Sequence, residues 1–212
     1  FTEPKSDADD QTTFLTRRML ANERRRRQTS ATSSTMNIEM SLDVKPNAEI
    51  QLVIDPTVGD VIKARGNGQL TLDIAPEAGI FKLNGDYTIT EGTYLFTLQN
   101  IWNKKFTVVP GSSIRWEGDP LGAKLNIDAV YSTKASLKPL LGNSMQGMED
   151  SRSRTVNCYI KLTDDLMSPT VNFDVEVENV SSEINTILQS VLNDQQAIAT
   201  QMFWLLTSNS FS

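Results

Sequence analysis

Gly85-Asp86-Tyr87-Thr88-Ile89-Thr90-Glu91-Gly92-Thr93-Tyr94-Leu95-Phe96-Thr97-Leu98 is the stretch that decides the fold of this chain. Large apolar or aromatic residues recur at every second position, with glycine between the runs. That is the period of a half-buried β-strand. The pattern continues through Phe106-Thr107-Val108, turns at Pro110-Gly111, and resumes in Ile114-Arg115-Trp116-Glu117-Gly118 and Leu125-Asn126-Ile127-Asp128-Ala129-Val130-Tyr131. Strands joined by short turns with no helix between them pair antiparallel.

Working outward, Met36 to Val44 alternates without a fault. Further strands are expected near Glu49–Ile54, Val61–Arg65, Gln69–Ile74 and Gly79–Leu83, with Gly66-Asn67-Gly68 as a turn. Leu137 to Ser153 reads as a long polar loop. Strands resume at Thr155–Leu162 and Thr170–Glu178. Ser181 or Ser182 then caps a helix carrying Ile184, Ile187, Leu188, Val191 and Leu192. A break near Asn193-Asp194 leads into a second helix ending in Met202, Phe203, Leu205 and Leu206. At the other end, Asp9 or Asp10 opens a basic helix to about Arg27, and Gln28–Thr35 reads as a Ser/Thr-rich linker. The expected organisation is a basic helix and linker over 1–35, a β domain over 36–180 and a helical tail over 181–212.

Composition removes several function classes. Histidine is absent and cysteine occurs once, at Cys158. The commonest general base is therefore missing, and no Cys/His zinc site can be built. Asp174, Glu176 and Glu178 alternate with Phe173, Val175 and Val177, which reads as the wet face of a strand and not as a catalytic carboxylate pair. No nucleophile elbow or phosphate loop is present, so the chain is expected not to be an enzyme and to use no cofactor. Residues 1–30 hold seven basic and five acidic side chains, so the remainder is strongly acidic within a net charge of −6. An Arg-rich helix can sit on anionic lipid or nucleic acid. Its apolar stripe of Phe14, Leu15, Met19 and Leu20 spans only about two turns, and the acidic remainder argues against nucleic acid. A solvated charged face is the reading we adopt. The chain opens on Phe1 and is expected to be a fragment or a processed piece.

Something must cover an apolar face that reads Tyr87, Ile89, Tyr94, Phe96, Leu98, Phe106, Val108, Ile114, Trp116, Leu125 and Ile127, continuing to Ala129 and Tyr131. Exposing it is unfavourable by ~25 cal/mol per Å². A second sheet, a trough closed on itself, or the C-terminal helices would serve, and periodicity does not choose between the first two.

The order of these phrases resembles the C-terminal domain of the TamB family, the translocation and assembly module proteins of the Gram-negative periplasm. The likeness runs from Leu70 to Tyr131 and resumes at Glu183-Ile184, Val191-Leu192-Asn193 and Gln201 to Leu206. The Arg-rich start and the stretch from Pro139 to Arg154 match no family phrase. The resemblance implies a mainly β fold: a curved antiparallel sheet, a taco-like trough with an apolar interior. It implies an inner-membrane anchor outside this chain and a periplasmic location. It also implies work with an outer-membrane barrel protein of the TamA/BamA kind, and carriage of phospholipid toward the outer membrane. The residues of the apolar face become the groove candidates. The competing expectation is an interaction module whose strand edge pairs with the barrel partner by β-augmentation, with no lipid carried. In this resemblance the partner-engaging end lies beyond Ser212.

Overall fold

The computed structural model describes residues 36–98, 102–141 and 153–212. The expected basic helix and linker, and residues 142–152 of the expected 137–153 loop, lie outside these residues. The described elements are β1 (Ile38–Val44), β2 (Glu49–Asp55), β3 (Asp60–Ala75), β4 (Ile80–Leu98), β5 (Trp102–Val108), β6 (Ser113–Gly118), β7 (Lys124–Ala135), α1 (Lys138–Leu141), β8 (Arg154–Asp165), β9 (Ser168–Val177), α2 (Ser182–Val191) and α3 (Gln195–Ser208). The nine strands make one sheet, and every pairing in it is antiparallel. β1 and β2 lie end to end along β3, and β5 and β6 lie end to end between β4 and β7.

The strand expected near Gly79–Leu83 is present from Ile80 and runs on without a break into the central phrase as the nineteen-residue β4. One expectation fails: Gly66-Asn67-Gly68 is not a turn but the middle of the sixteen-residue β3. These glycines answer crowding between strands. A Cβ on Gly66 would collide with the carbonyl oxygen of Thr88, and one on Gly68 would lie 2.9 Å from the Tyr87 ring. Glycine inside a strand marks this kind of close approach as often as it marks a turn.

The alternation also slips. Ile89 and Tyr94 are five residues apart, yet both are buried on one face. A β-bulge reconciles them: Arg65 pairs with Glu91 while Gly66 pairs with Ile89, leaving Thr90 as the extra residue. Beside the bulge, Ile89 donates to the Ser112 carbonyl at 2.7 Å and accepts from Gly111 at 2.9 Å. Those two residues lie in the break between β5 and β6. The break between β1 and β2 falls opposite the same point, since Val44 pairs with Gly68 and Glu49 with Arg65. A line of interruptions thus crosses the sheet from its edge to β6. Bulges bend and twist the strands that carry them.

The sheet is curved. Phe96 in β4 and Phe173 in β9 are four strand spacings apart, about 19 Å in a flat sheet. Their ring centroids are 6.3 Å apart. The trough so formed is filled from its own walls and by the tail. Ser181 caps α2 through the Ile184 N–H, and Asp194 caps α3 through the Ala197 N–H. Ile184, Leu188, Met202, Leu205, Leu206 and Phe211 are buried in the same cluster as the sheet's inward face. Each fully buried side chain of this kind stabilises the docking by ~1.5–3 kcal/mol. Within the stretch expected to be loop, Lys138–Leu141 forms a short helix.

Candidate apolar trough

Register fixes which side chains share the inward face. Tyr94 lies opposite Phe106, Tyr87 opposite Ile114, Gly85 opposite Trp116, Ile114 opposite Leu125, and Val108 opposite Ala129. Ile127 is two residues on from Leu125 and faces the same way. Tyr87, Ile89, Tyr94, Phe106, Val108, Ile114, Leu125 and Ile127 are all buried, and Phe96 and Trp116 pack half-buried against them. The structure therefore brings together ten of the eleven candidates. The Leu98 backbone pairs with Trp102, and the Leu98 side chain lies outside the described residues. Aromatic rings knit this half: Phe96 meets Phe106 edge-on at 6.0 Å, and Phe106 meets Tyr131 at 5.7 Å.

Beyond the line of interruptions the same face stays covered at Tyr87 and Ile114 and then opens. β1, the second half of β3, the first half of β4 and β6 form a wing. Across it Met40 pairs with Leu72 and Leu72 with Leu83; Leu42 pairs with Leu70; Ile38 pairs with Ile74 and Ile74 with Phe81. All of these side chains share the inward face, yet none is buried, and Phe81 is 55% exposed. The opposite face of the wing carries Glu39, Ser41, Asp43, Gln69, Thr71, Asp73, Lys82 and Asn84. These wing residues were absent from the sequence-based candidates. The unbroken alternation of Ile38 to Val44 was the signal that could have found them.

Where the tail meets the sheet, an open pocket of about 410 Å³ lies between α3 and the walls. It is lined by Phe96, Phe173, Ala199, Met202, Phe203 and Leu206, together with the polar Gln196 and Thr200. That volume falls in the usual range for small-molecule pockets.

Polar groups are sparse inside the trough and mostly satisfied. Asp60 is buried and accepts from the Tyr94 hydroxyl at 3.0 Å and the Thr97 N–H at 2.7 Å. Burial, then the Asp60 charge, raises the Tyr94 phenol well above its ordinary range. Burial pushes the Cys158 thiol up to about 12. Among the described residues the buried Tyr87 hydroxyl has no hydrogen-bond partner. Lys104, on the inward face of β5, sits 5.3 Å from the Tyr131 ring centroid at the rim. The outer face of β9 is wet as expected: Asp174 pairs with Lys161 at 3.1 Å, and Glu176 and Glu178 are exposed. Among the described residues no helix is long and apolar enough to cross a membrane.

A family model for the TamB C-terminal domain matches residues 1–203. The match includes the Arg-rich start and the 139–154 stretch, which the short phrases had left outside the resemblance. A search of curated proteins found no match.

Proposed function

Because the chain belongs to the TamB family, and so to the periplasmic, membrane-associated translocation and assembly system that works with a TamA-like outer-membrane partner, we propose that its trough carries phospholipid acyl chains toward the outer membrane. The observation that carries this reading is the continuity of one apolar face, from the covered half past the line of interruptions into the uncovered wing. Two acyl chains of ~30 CH₂ groups cost on the order of 20 kcal/mol in water. A carrier must shield them along the whole route, and an apolar face on a curved sheet does so without chemistry. The reading assigns the chain no catalytic role and no cofactor. It places the polar outer face of the wing in water and the lipid tails against Leu42, Leu72 and Phe81.

The test is capture in cells. A photo-crosslinking amino acid at Phe81, and a second at Phe96, should each give adducts with the mass of a phospholipid. Leu72→Asp should suppress the adduct at Phe81. Adducts with protein alone at both positions would overturn lipid carriage.

A further inference from the structure

β9 ends the sheet and, among the described residues, pairs only with β8. Backbone groups of alternate strand residues point to opposite sides. Phe173 shows which residues of β9 face outward. Its N–H donates to Oε1 of Gln195 at 3.0 Å, and its carbonyl accepts from Nε2 of the same side chain at 3.2 Å. The next outward N–H, that of Val175, donates to Oδ1 of Asp174 at 2.9 Å. Pro169, which has no N–H to offer, falls on the same parity, as proline does on edge strands. One primary amide thus makes at Phe173 the two bonds that a residue of an antiparallel strand would exchange there.

We propose that the outer edge of β9 accepts an antiparallel polypeptide strand with basic residues at alternate positions, and that Gln195 is a latch that an incoming strand displaces. Charge chooses this occupant. Asp174, Glu176 and Glu178 line the outer face of β9. Among the described residues only Asp174 has a cation, Lys161; Glu176 and Glu178 are met by the neutral donors Tyr159 and Asn157. From Leu162 to Ser212 the chain has seven acidic residues and no Lys or Arg. A second copy of this edge would set like charges opposite each other, which destabilises a pair. A strand with Lys or Arg outward and Val or Ile inward would meet the carboxylates on one face, and Val171, Phe173 and Val175 on the other. Main-chain bonds supply affinity in such additions and alternate side chains supply specificity. Gln195 opens α3, so releasing it also frees the start of the helix that covers the trough. The inference stands independently of lipid carriage.

The probe is a peptide of eight residues alternating valine and lysine, titrated against the 212-residue chain, with a valine–glutamate peptide as control. Gln195→Ala should bind the lysine peptide about tenfold more tightly than the unaltered chain, since two competing hydrogen bonds are gone. Bound peptide should slow hydrogen exchange at Val175 and Val177. Val171→Pro removes an outward N–H while the β8 ladder keeps its bonds. It should abolish peptide binding at an unchanged melting temperature. Equal binding of both peptides, or no gain from Gln195→Ala, would overturn the proposal.

Discussion

Cys158 is fully buried in β8, opposite Tyr131 and Val175, and its burial decides its chemistry. The thiolate is the reactive form, and a thiol held at about 12 is almost wholly protonated at neutral pH. Iodoacetamide at pH 8 should leave the folded chain unmodified and label it stoichiometrically in denaturant, read by intact mass. The same shift links stability to pH. The folded value lies above the ordinary thiol value of 9.0. The contribution is therefore complete below pH 9 and is lost as pH rises toward 12. Melting temperature should fall over that window, less steeply in Cys158→Ala, measured as a difference between the two chains across pH. Tyr94 is raised in the same sense and adds to the loss. Its hydroxyl has a second role, holding Asp60. Tyr94→Phe keeps the ring contacts and leaves Asp60 with the Thr97 N–H as its remaining hydrogen bond. Donors to a charged group contribute about 1.5–3 kcal/mol, so that loss in denaturant unfolding is expected. A loss under about 0.5 kcal/mol would mean water replaces the bond.

At the scale of the element, β4 shows how much could be read and where reading stops. The alternation of Tyr87 with Ile89, and of Tyr94 with Phe96, identifies a strand with one apolar side. The five-residue step from Ile89 to Tyr94 also records a change of parity, visible in the sequence alone. It does not say whether the strand bulges or whether the two halves face opposite ways. That depends on Arg65 and Gly66 of β3, which no local pattern links to Thr90. The glycines of β3 misled for a related reason: close approach by another strand and a chain reversal call for the same residue. The helices were more legible, because Ser181 and Asp194 cap through local hydrogen bonds. The bulge gives a sharp test. Deleting Thr90 must turn either Tyr87 and Ile89 or Tyr94 and Phe96 out of the trough. Loss of cooperative melting, or a cost above about 4 kcal/mol, is expected. Thr90→Val keeps the residue count and loses one exposed bond to the Arg65 carbonyl. It should cost only about 0.5–1.5 kcal/mol. Similar costs for the two variants would show that the bulge does not set the register.

At the scale of the molecule, the sheet's inward face has a covered part and an open wing, and the curl of the walls together with the docked tail covers the first. The apolar face could be read from the residues, but its cover could not, because Leu205 and Leu206 meet the sheet only through tertiary packing. Removing everything after Glu178 would uncover six buried apolar residues' worth of docking surface, roughly 9–18 kcal/mol as an upper estimate. That matches or exceeds the whole stability of an ordinary domain, about 5–15 kcal/mol. A truncated chain that binds a hydrophobic dye would then have unfolded as readily as opened, so truncation alone cannot identify a gate. Locking the tail separates the two. The Thr133 hydroxyl donates to Oδ1 of Asn209 at 2.9 Å, just past the end of α3. Thr133→Cys with Asn209→Cys would place two thiols at this contact, and a disulfide between them, checked by intact mass, would hold α3 in place while the buried Cys158 stays reduced. If α3 gates the covered half, oxidation should abolish phospholipid capture at Phe96 and leave capture at Phe81, on the open wing, unchanged. Reduction should restore the first. Equal capture at Phe96 with the lock closed and open would show that lipid reaches the covered half without moving the helix, through the pocket beside Phe173 and Phe203.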